Sequence, residues 1–187
     1  MKKLVIGYDQ YKGLVNEVCR QISVGGWTPD YVVGITRGGL FPAVMISHYF
    51  GVPCHTLKVS LREGSDNDCE SNLWMAEQAL GVVDASTDQL SKYGARWDIG
   101  LRHNILIVDD INDSGATLNW IMSDWESGCF PKETSAWDSV WGHNVKFAVV
   151  VDNQASGCEV PMDYSGMTIN KLEEDVWVEF PYETWWK

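Results

Sequence analysis

The 187-residue sequence has no uninterrupted apolar run near the roughly 18 residues that a membrane helix needs, so no membrane partner is expected. Its N-terminus, MKKLVIGYDQYKG, carries two lysines, but the apolar run behind them is far too short for a secretory signal. The five cysteines, Cys19, Cys54, Cys69, Cys129 and Cys158, are odd in number, scattered and never spaced as CxxC. That pattern argues against a disulfide frame or a zinc site and for reduced thiols in a cytoplasmic protein. Basic residues are scarce: 14 Lys and Arg face 26 Asp and Glu, for a net charge of −12. Nucleic acid is therefore a poor partner, because phosphate contacts need a basic surface. A small anionic ligand stays compatible with this charge where an Arg, backbone N–H groups or a divalent cation override the global field. No internal repeat or low-complexity segment is present, and the Walker A pattern GxxxxGK[ST] is missing.

What is there is enough apolar material for a core: 45% of residues are hydrophobic and 12% aromatic. The length fits one compact domain. Residues 9–23 place Leu14, Val15, Val18, Cys19 and Ile22 on one helical face, with Asp9 available as N-cap. Strands are expected at 31–35, 53–59, 104–109 and 146–151, and helices at 40–50, with Pro42 in the first turn, and at 116–125. Apolar strands without strict alternation, separated by helices, imply an α/β fold with a mainly parallel central sheet covered by helices on both faces. Ligands of such sheets sit at the carboxyl ends of the strands, where the turns after Ile35 and Val108 lie. The segment 60–103 is long enough to form a flap or insertion, with NLWMAEQAL as a candidate helix. The tail 158–187, rich in aromatics and acids, is expected to pack over one end of the sheet as a small hood on a core of about 1–157.

The stretch 105-ILIVDDINDSGATL-118 crowds Asp109, Asp110 and Asp113 where a strand hands over to a helix. Three carboxylates so close repel one another unless a cation or hydrogen-bond donors sit among them. The small and hydroxylated residues Ser114, Gly115, Ala116 and Thr117 leave backbone N–H groups at a helix start able to cradle a phosphate. One turn thus suits a ligand carrying a phosphate, a diol and a bound metal, such as a phosphorylated ribose.

This stretch resembles the phosphoribosyl pyrophosphate (PRPP) motif of the type I phosphoribosyltransferases. The run 31-YVVGITRGGLFPAVMISHYFGVP-53 resembles the first strand, pyrophosphate loop and following helix of the same family, and 177-WVEFPYE-183 resembles the purine-stacking segment of its xanthine-guanine members. ILIVDD also opens receiver domains, but those carry the acid pair near the N-terminus and need a later strand lysine for which the chain is too short.

The resemblance implies a Rossmann-like type I phosphoribosyltransferase fold and a Mg²⁺-dependent transfer of 5-phosphoribose from PRPP to a nucleobase, with guanine, xanthine or hypoxanthine as the expected acceptor. It assigns Arg37, Gly38 and Gly39 to pyrophosphate, with glycine permitting a strained loop. Asp109 and Asp110 go to the ribose diol and metal, the metal being held by Asp110 through water. The turn from Asp113 through Ser114, Gly115, Ala116 and Thr117 goes to the 5′-phosphate. Asp113 also takes the place of the acid near purine N7, and burial beside two other carboxylates would fit it for proton abstraction. Trp177 matches the residue that stacks on the base, with the main chain of Val178 and the carboxylate of Glu179 at the base edge. The family lysine that grips purine O6 is missing: the run after the strand at 146–151 reads Asp152-Asn153-Gln154, and Asn153 is the expected occupant. Ser60 and Arg62 are further candidates for pyrophosphate, and the flap would exclude water. A homodimer or homotetramer is expected. A PRPP-binding regulator that does not turn over is the alternative.

Overall fold

The computed structural model describes residues 2–61, 69–83, 97–129 and 134–186. The strands are β1 (Lys2–Val5), β2 (Tyr31–Thr36), β3 (Cys54–Lys58), β4 (Ile105–Asn112), β5 (Val145–Asn153), β6 (Tyr164–Ile169) and β7 (Val176–Glu179). The α-helices are α1 (Tyr8–Val24), α2 (Leu40–Phe50), α3 (Leu73–Leu80) and α4 (Ala116–Gly128).

Five strands form one sheet in the order β3-β2-β4-β5-β6, every neighbouring pair parallel. Alternation along the central strands splits the core into two layers. Tyr31, Val33 and Ile35 of β2, Ile105 and Ile107 of β4, and Phe147 of β5 face one side, where α3 and α4 cover them. Val32, Leu106, Val108, Ala148 and Val150 face the other, beneath α1 and α2. A strand buried on both faces has no polar positions to show, so these runs read as continuous hydrophobic stretches.

The order fixes where a ligand can enter. From β2 the chain crosses to β3 on one side, then returns to β4 on the other. Helices leaving β2 and β4 in opposite directions open a crevice at their carboxyl ends, the usual ligand position in such sheets.

Four features differ from the sequence expectations. The strand expected at 104–109 runs on through Asn112, because Asp109, Ile111 and Asn112 stay in register with Val149, Val151 and Asp152 of β5. Asp110 therefore joins Asp109 on the strand instead of opening the turn. Asp9 lies inside the first turn of α1, whose N-cap is Gly7. In segment 60–103, α3 is a core helix, with Met75, Ala76, Ala79 and Leu80 buried. Residues 62–68 and 84–96 of the expected flap, with Arg62 among them, lie outside the described residues. Finally, β6 belongs to the main sheet, while β7 pairs in parallel with β1 as a separate two-stranded sheet. The hood is thus built from both ends of the chain, and the expected boundary at 157 does not separate it from the core.

Candidate active site

A cavity of about 610 Å³ opens at the carboxyl ends of β2, β3 and β4. Its walls include Arg37 and Gly38 after β2, Lys58 and Ser60 at the end of β3, and the continuous run from Asp109 to Leu118. The two loops singled out in the sequence therefore face one space.

The loop after β2 enters α2 at once, with Gly39 as N-cap. Neither Gly38 nor Gly39 has a positive φ. At these two positions glycine is required for space and not for a left-handed backbone. A Cβ on Gly38 would overlap the Asp110 carboxylate, and one on Gly39 would overlap the Val108 carbonyl oxygen. The Thr36–Arg37 peptide is cis.

Asp109 and Asp110 follow Val108 on β4 and are partly buried. The Asp110 N–H donates to Asp109 Oδ1 at 2.9 Å, and the Tyr182 hydroxyl donates to Asp110 Oδ2 at 2.7 Å. Burial and the adjacent Asp110 charge push Asp109 well above the usual carboxylate value. Burial also raises Asp110, against the opposing hydrogen bond from Tyr182. Tyr182 is held by ring packing, stacked on Phe41 at 4.1 Å and meeting Tyr11 edge-on at 5.8 Å.

The turn that follows is braced from outside. The Gly157 N–H donates to the Ser114 carbonyl oxygen at 3.0 Å, and the Asn119 amide donates to the Gly157 carbonyl oxygen at 2.9 Å. Gly115 caps α4 at φ 85°, and a Cβ there would overlap the Cys158 N–H. No side chain caps α4 from this residue. Ser114 Oγ is a long 3.4 Å from the Ala116 N–H. The N-terminus of α4 thus presents main-chain N–H groups and the positive end of its dipole to the cavity.

Asp113 departs from its expected surroundings. Its side chain is 50% exposed, and Oδ1 pairs with Lys171 Nζ at 2.7 Å. It is not buried among the other acids. Its nearest charge is an ammonium.

The expected base-side residues divide. Asn153 is buried with both ends of its amide engaged: Nδ2 donates to the Asp113 carbonyl oxygen at 2.8 Å, and Oδ1 accepts from the N–H groups of Ala155 and Lys171. It ties three segments together rather than presenting a free amide to a base. Glu179 pairs with Lys3 at 2.7 Å and accepts from Thr184. Val178 is buried in the core while its main chain pairs with Leu4 of β1. Trp177 alternates with buried neighbours on β7 and stays 50% exposed, and it is not among the residues bounding the cavity.

Three residues at the site escaped sequence reasoning. Lys58 ends β3 opposite Thr36, and the rule that ligands gather at strand ends would have pointed to it. Lys171 and Tyr182 reach the acids from the C-terminal segment, and no local pattern announces either contact.

The model for the phosphoribosyl transferase domain matches residues 7–184, and the chain belongs to this family. It is 29% identical over 159 residues to a xanthine-guanine phosphoribosyltransferase of Cereibacter sphaeroides, spanning 85% of this chain and 71% of that protein. It is 27% identical over 136 residues to xanthine phosphoribosyltransferase 1 of Saccharomyces cerevisiae, spanning 67% of this chain and 61% of that protein. Among solved structures, the purine phosphoribosyltransferase of Pyrococcus horikoshii superposes with a TM-score of 0.60 at 20% identity, covering 97% of this chain and 95% of its own. The xanthine-guanine-hypoxanthine phosphoribosyltransferase of Helicobacter pylori gives a TM-score of 0.60 at 15% identity, covering 96% and 92%.

Proposed function

We propose that this chain transfers 5-phosphoribose from PRPP to a purine base and releases pyrophosphate. The observation that carries this reading is the single cavity shared by the Arg37–Gly38 loop and the Asp109–Thr117 segment. A sugar bearing phosphates at both ends needs two anion-binding loops with carboxylates for its diol between them.

The roles are those that the family resemblance carries onto these residues. The N-terminus of α4, with Ser114, Gly115, Ala116 and Thr117, takes the 5′-phosphate. Arg37, Gly38 and Gly39 take the pyrophosphate, with Lys58 on the same wall. Asp109 and Asp110 accept hydrogen bonds from the ribose hydroxyls. As the C1–oxygen bond to pyrophosphate breaks, positive charge grows on the sugar, and the adjacent carboxylates favour it electrostatically. The base nitrogen closes the new bond to C1. Asp113 accepts the proton that the base gives up at its N7 edge. Trp177 stacks on the base, with the Val178 main chain beside it.

Among the described residues no three acidic, His or Cys side chains converge as a resident metal site. The two adjacent carboxylates, Asp109 and Asp110, have the oxygen chemistry that would suit a magnesium ion. Asp110 would hold it through water, and when bound it neutralises the departing pyrophosphate.

No helix among the described residues is long and apolar enough to cross a membrane, and none of these cysteines is joined in a disulfide. A cytoplasmic homodimer or homotetramer belongs to the same proposal, and sedimentation measures the assembly. The direct assay is pyrophosphate release from PRPP and Mg²⁺ against a panel of purines and pyrimidines. Release dependent on a purine supports the reading. PRPP binding without release for any base would replace it with the non-catalytic one.

A further inference from the structure

Tyr11 heads the buried stripe of α1, which continues through Val15, Val18, Cys19 and Ile22. Its ring is well packed, meeting Phe180 edge-on at 6.0 Å and Tyr182 edge-on at 5.8 Å. The residue is 5% exposed, and its hydroxyl is buried without a hydrogen-bond partner. Buried tyrosine hydroxyls usually find a partner, and one left unpaired costs stability. For packing alone a phenylalanine would serve better here, as one does at position 180.

The groups beside that hydroxyl are acceptors. Burial, and then the charges of Asp110 and Asp109, push the Tyr11 phenol far above its ordinary value. The hydroxyl therefore keeps its proton and stays a donor next to two carboxylates. The neighbouring phenol, Tyr182, already donates to Asp110 Oδ2 at 2.7 Å. One phenol from α1 and one from the C-terminal segment thus converge on a single acid pair, and only the second is bonded to it. A carboxylate has about four acceptor positions, so it can take a phenol on one side and a ligand hydroxyl on the other. Hydrogen bonds of an active site are often open in the free protein and tighten in the complex.

Resting on the phosphoribosyl-transfer reading, we propose that Tyr11 is a positioning residue for PRPP: its hydroxyl donates to the Asp109–Asp110 pair once the ribose hydroxyls engage it. Tyr11 then joins Tyr182 in fixing the pair, and a donor left unpaired in the free chain is satisfied in the complex. The stability that this hydroxyl costs the free fold is recovered as affinity for the ligand.

Tyr11→Phe keeps the ring and removes the donor. Two measurements are compared with the wild type: the melting temperature without ligand, and the Kd for PRPP in Mg²⁺ by calorimetry. The melting temperature should equal or exceed that of the wild type, whereas Tyr182→Phe, which removes a hydrogen bond already made, should lower it. The Kd for PRPP should rise roughly 10-fold, the scale of one hydrogen bond to a charged group. In steady-state assays kcat/KM for PRPP should fall by the same factor, with the KM for the purine within about twofold. A Kd within about twofold of the wild type overturns the proposal. So does a Tyr11→Phe chain that melts lower or fails to fold, because the hydroxyl then serves the fold. A wild-type chain that binds PRPP but transfers to no base would end the transferase reading, and the two Kd values would still decide the role of Tyr11. A wild-type chain that binds no PRPP overturns both.

Discussion

The Tyr182 hydroxyl donates a 2.7 Å hydrogen bond to Asp110 Oδ2, joining the C-terminal segment to the acid pair on β4. Asp110 also sits against Gly38, so its carboxylate touches both the C-terminal segment and the loop after β2, while its main-chain N–H donates to Asp109 Oδ1. The orientation of this carboxylate is therefore set from two sides before any ligand arrives.

Tyr182→Phe keeps the ring stack on Phe41 and removes only the donor. A hydrogen bond to a charged group contributes about 1.5–3 kcal/mol. The KM for PRPP is expected to rise about tenfold from that energy, with the melting temperature falling by a few degrees. Steady-state kinetics at saturating base measures the first and a thermal melt the second; an unchanged KM for PRPP would refute the positioning role of Tyr182.

Gly38→Ala tests the close approach between the loop and the acid. Its Cβ has no room beside the Asp110 carboxylate, so either the loop or the acid must move. A loss of activity of about 100-fold is expected, the usual result of misplacing a site by an ångström. The circular dichroism spectrum should stay that of the wild type, because the clash lies at the cavity and not in the core.

Asp113→Asn keeps the shape of the side chain and removes its charge. If Asp113 takes the proton from the base, kcat should fall about 100- to 10,000-fold. Binding of PRPP, followed by calorimetry, should change only a few-fold, because the proposal gives the 5′-phosphate to the main-chain N–H groups of the turn and not to this carboxylate. A variant with normal turnover would assign the proton transfer elsewhere.

The acid pair gives a pH dependence of definite sign. In the protein without ligand or divalent cation, burial holds both carboxyls above 3.8, with the Asp110 charge adding to the effect at Asp109. The folded form then keeps a proton that the unfolded chain gives up. That contribution to stability is complete below the ordinary value of 3.8 and is lost as pH rises through the raised folded value. Each pKa unit corresponds to about 1.4 kcal/mol. Asp109→Asn has no proton to lose. In EDTA, its melting temperature relative to the wild type should climb by several degrees between about pH 4 and pH 8. A constant difference across that range would contradict the raised value.

Much of this was legible in the sequence, and the physical reason is locality. The runs around Val32, Leu106 and Val150 are continuous apolar strands because helices cover both faces of the sheet. The loop glycines and the Ser114–Thr117 turn are short patterns whose meaning needs no distant partner. The sequence misled where tertiary pairing decides. β4 continues through Asp109 and Asp110 because β5 lies beside it, whatever the polarity of those residues. β1 is a strand only because β7 pairs with it from the other end of the chain. Asn153 was expected at the base because it follows the right strand, but its amide bridges main-chain groups that come together only in the fold. Lys171 and Tyr182 were invisible for the same reason.

The central claim is that the cavity between the two loops makes a nucleotide. The most direct measurement is the mass of the product after incubating the purified chain with PRPP, Mg²⁺ and hypoxanthine, guanine or xanthine. The account predicts a purine nucleoside 5′-monophosphate formed in equal amount to the pyrophosphate released. PRPP bound at the site, with base and PRPP both recovered unchanged, would contradict it.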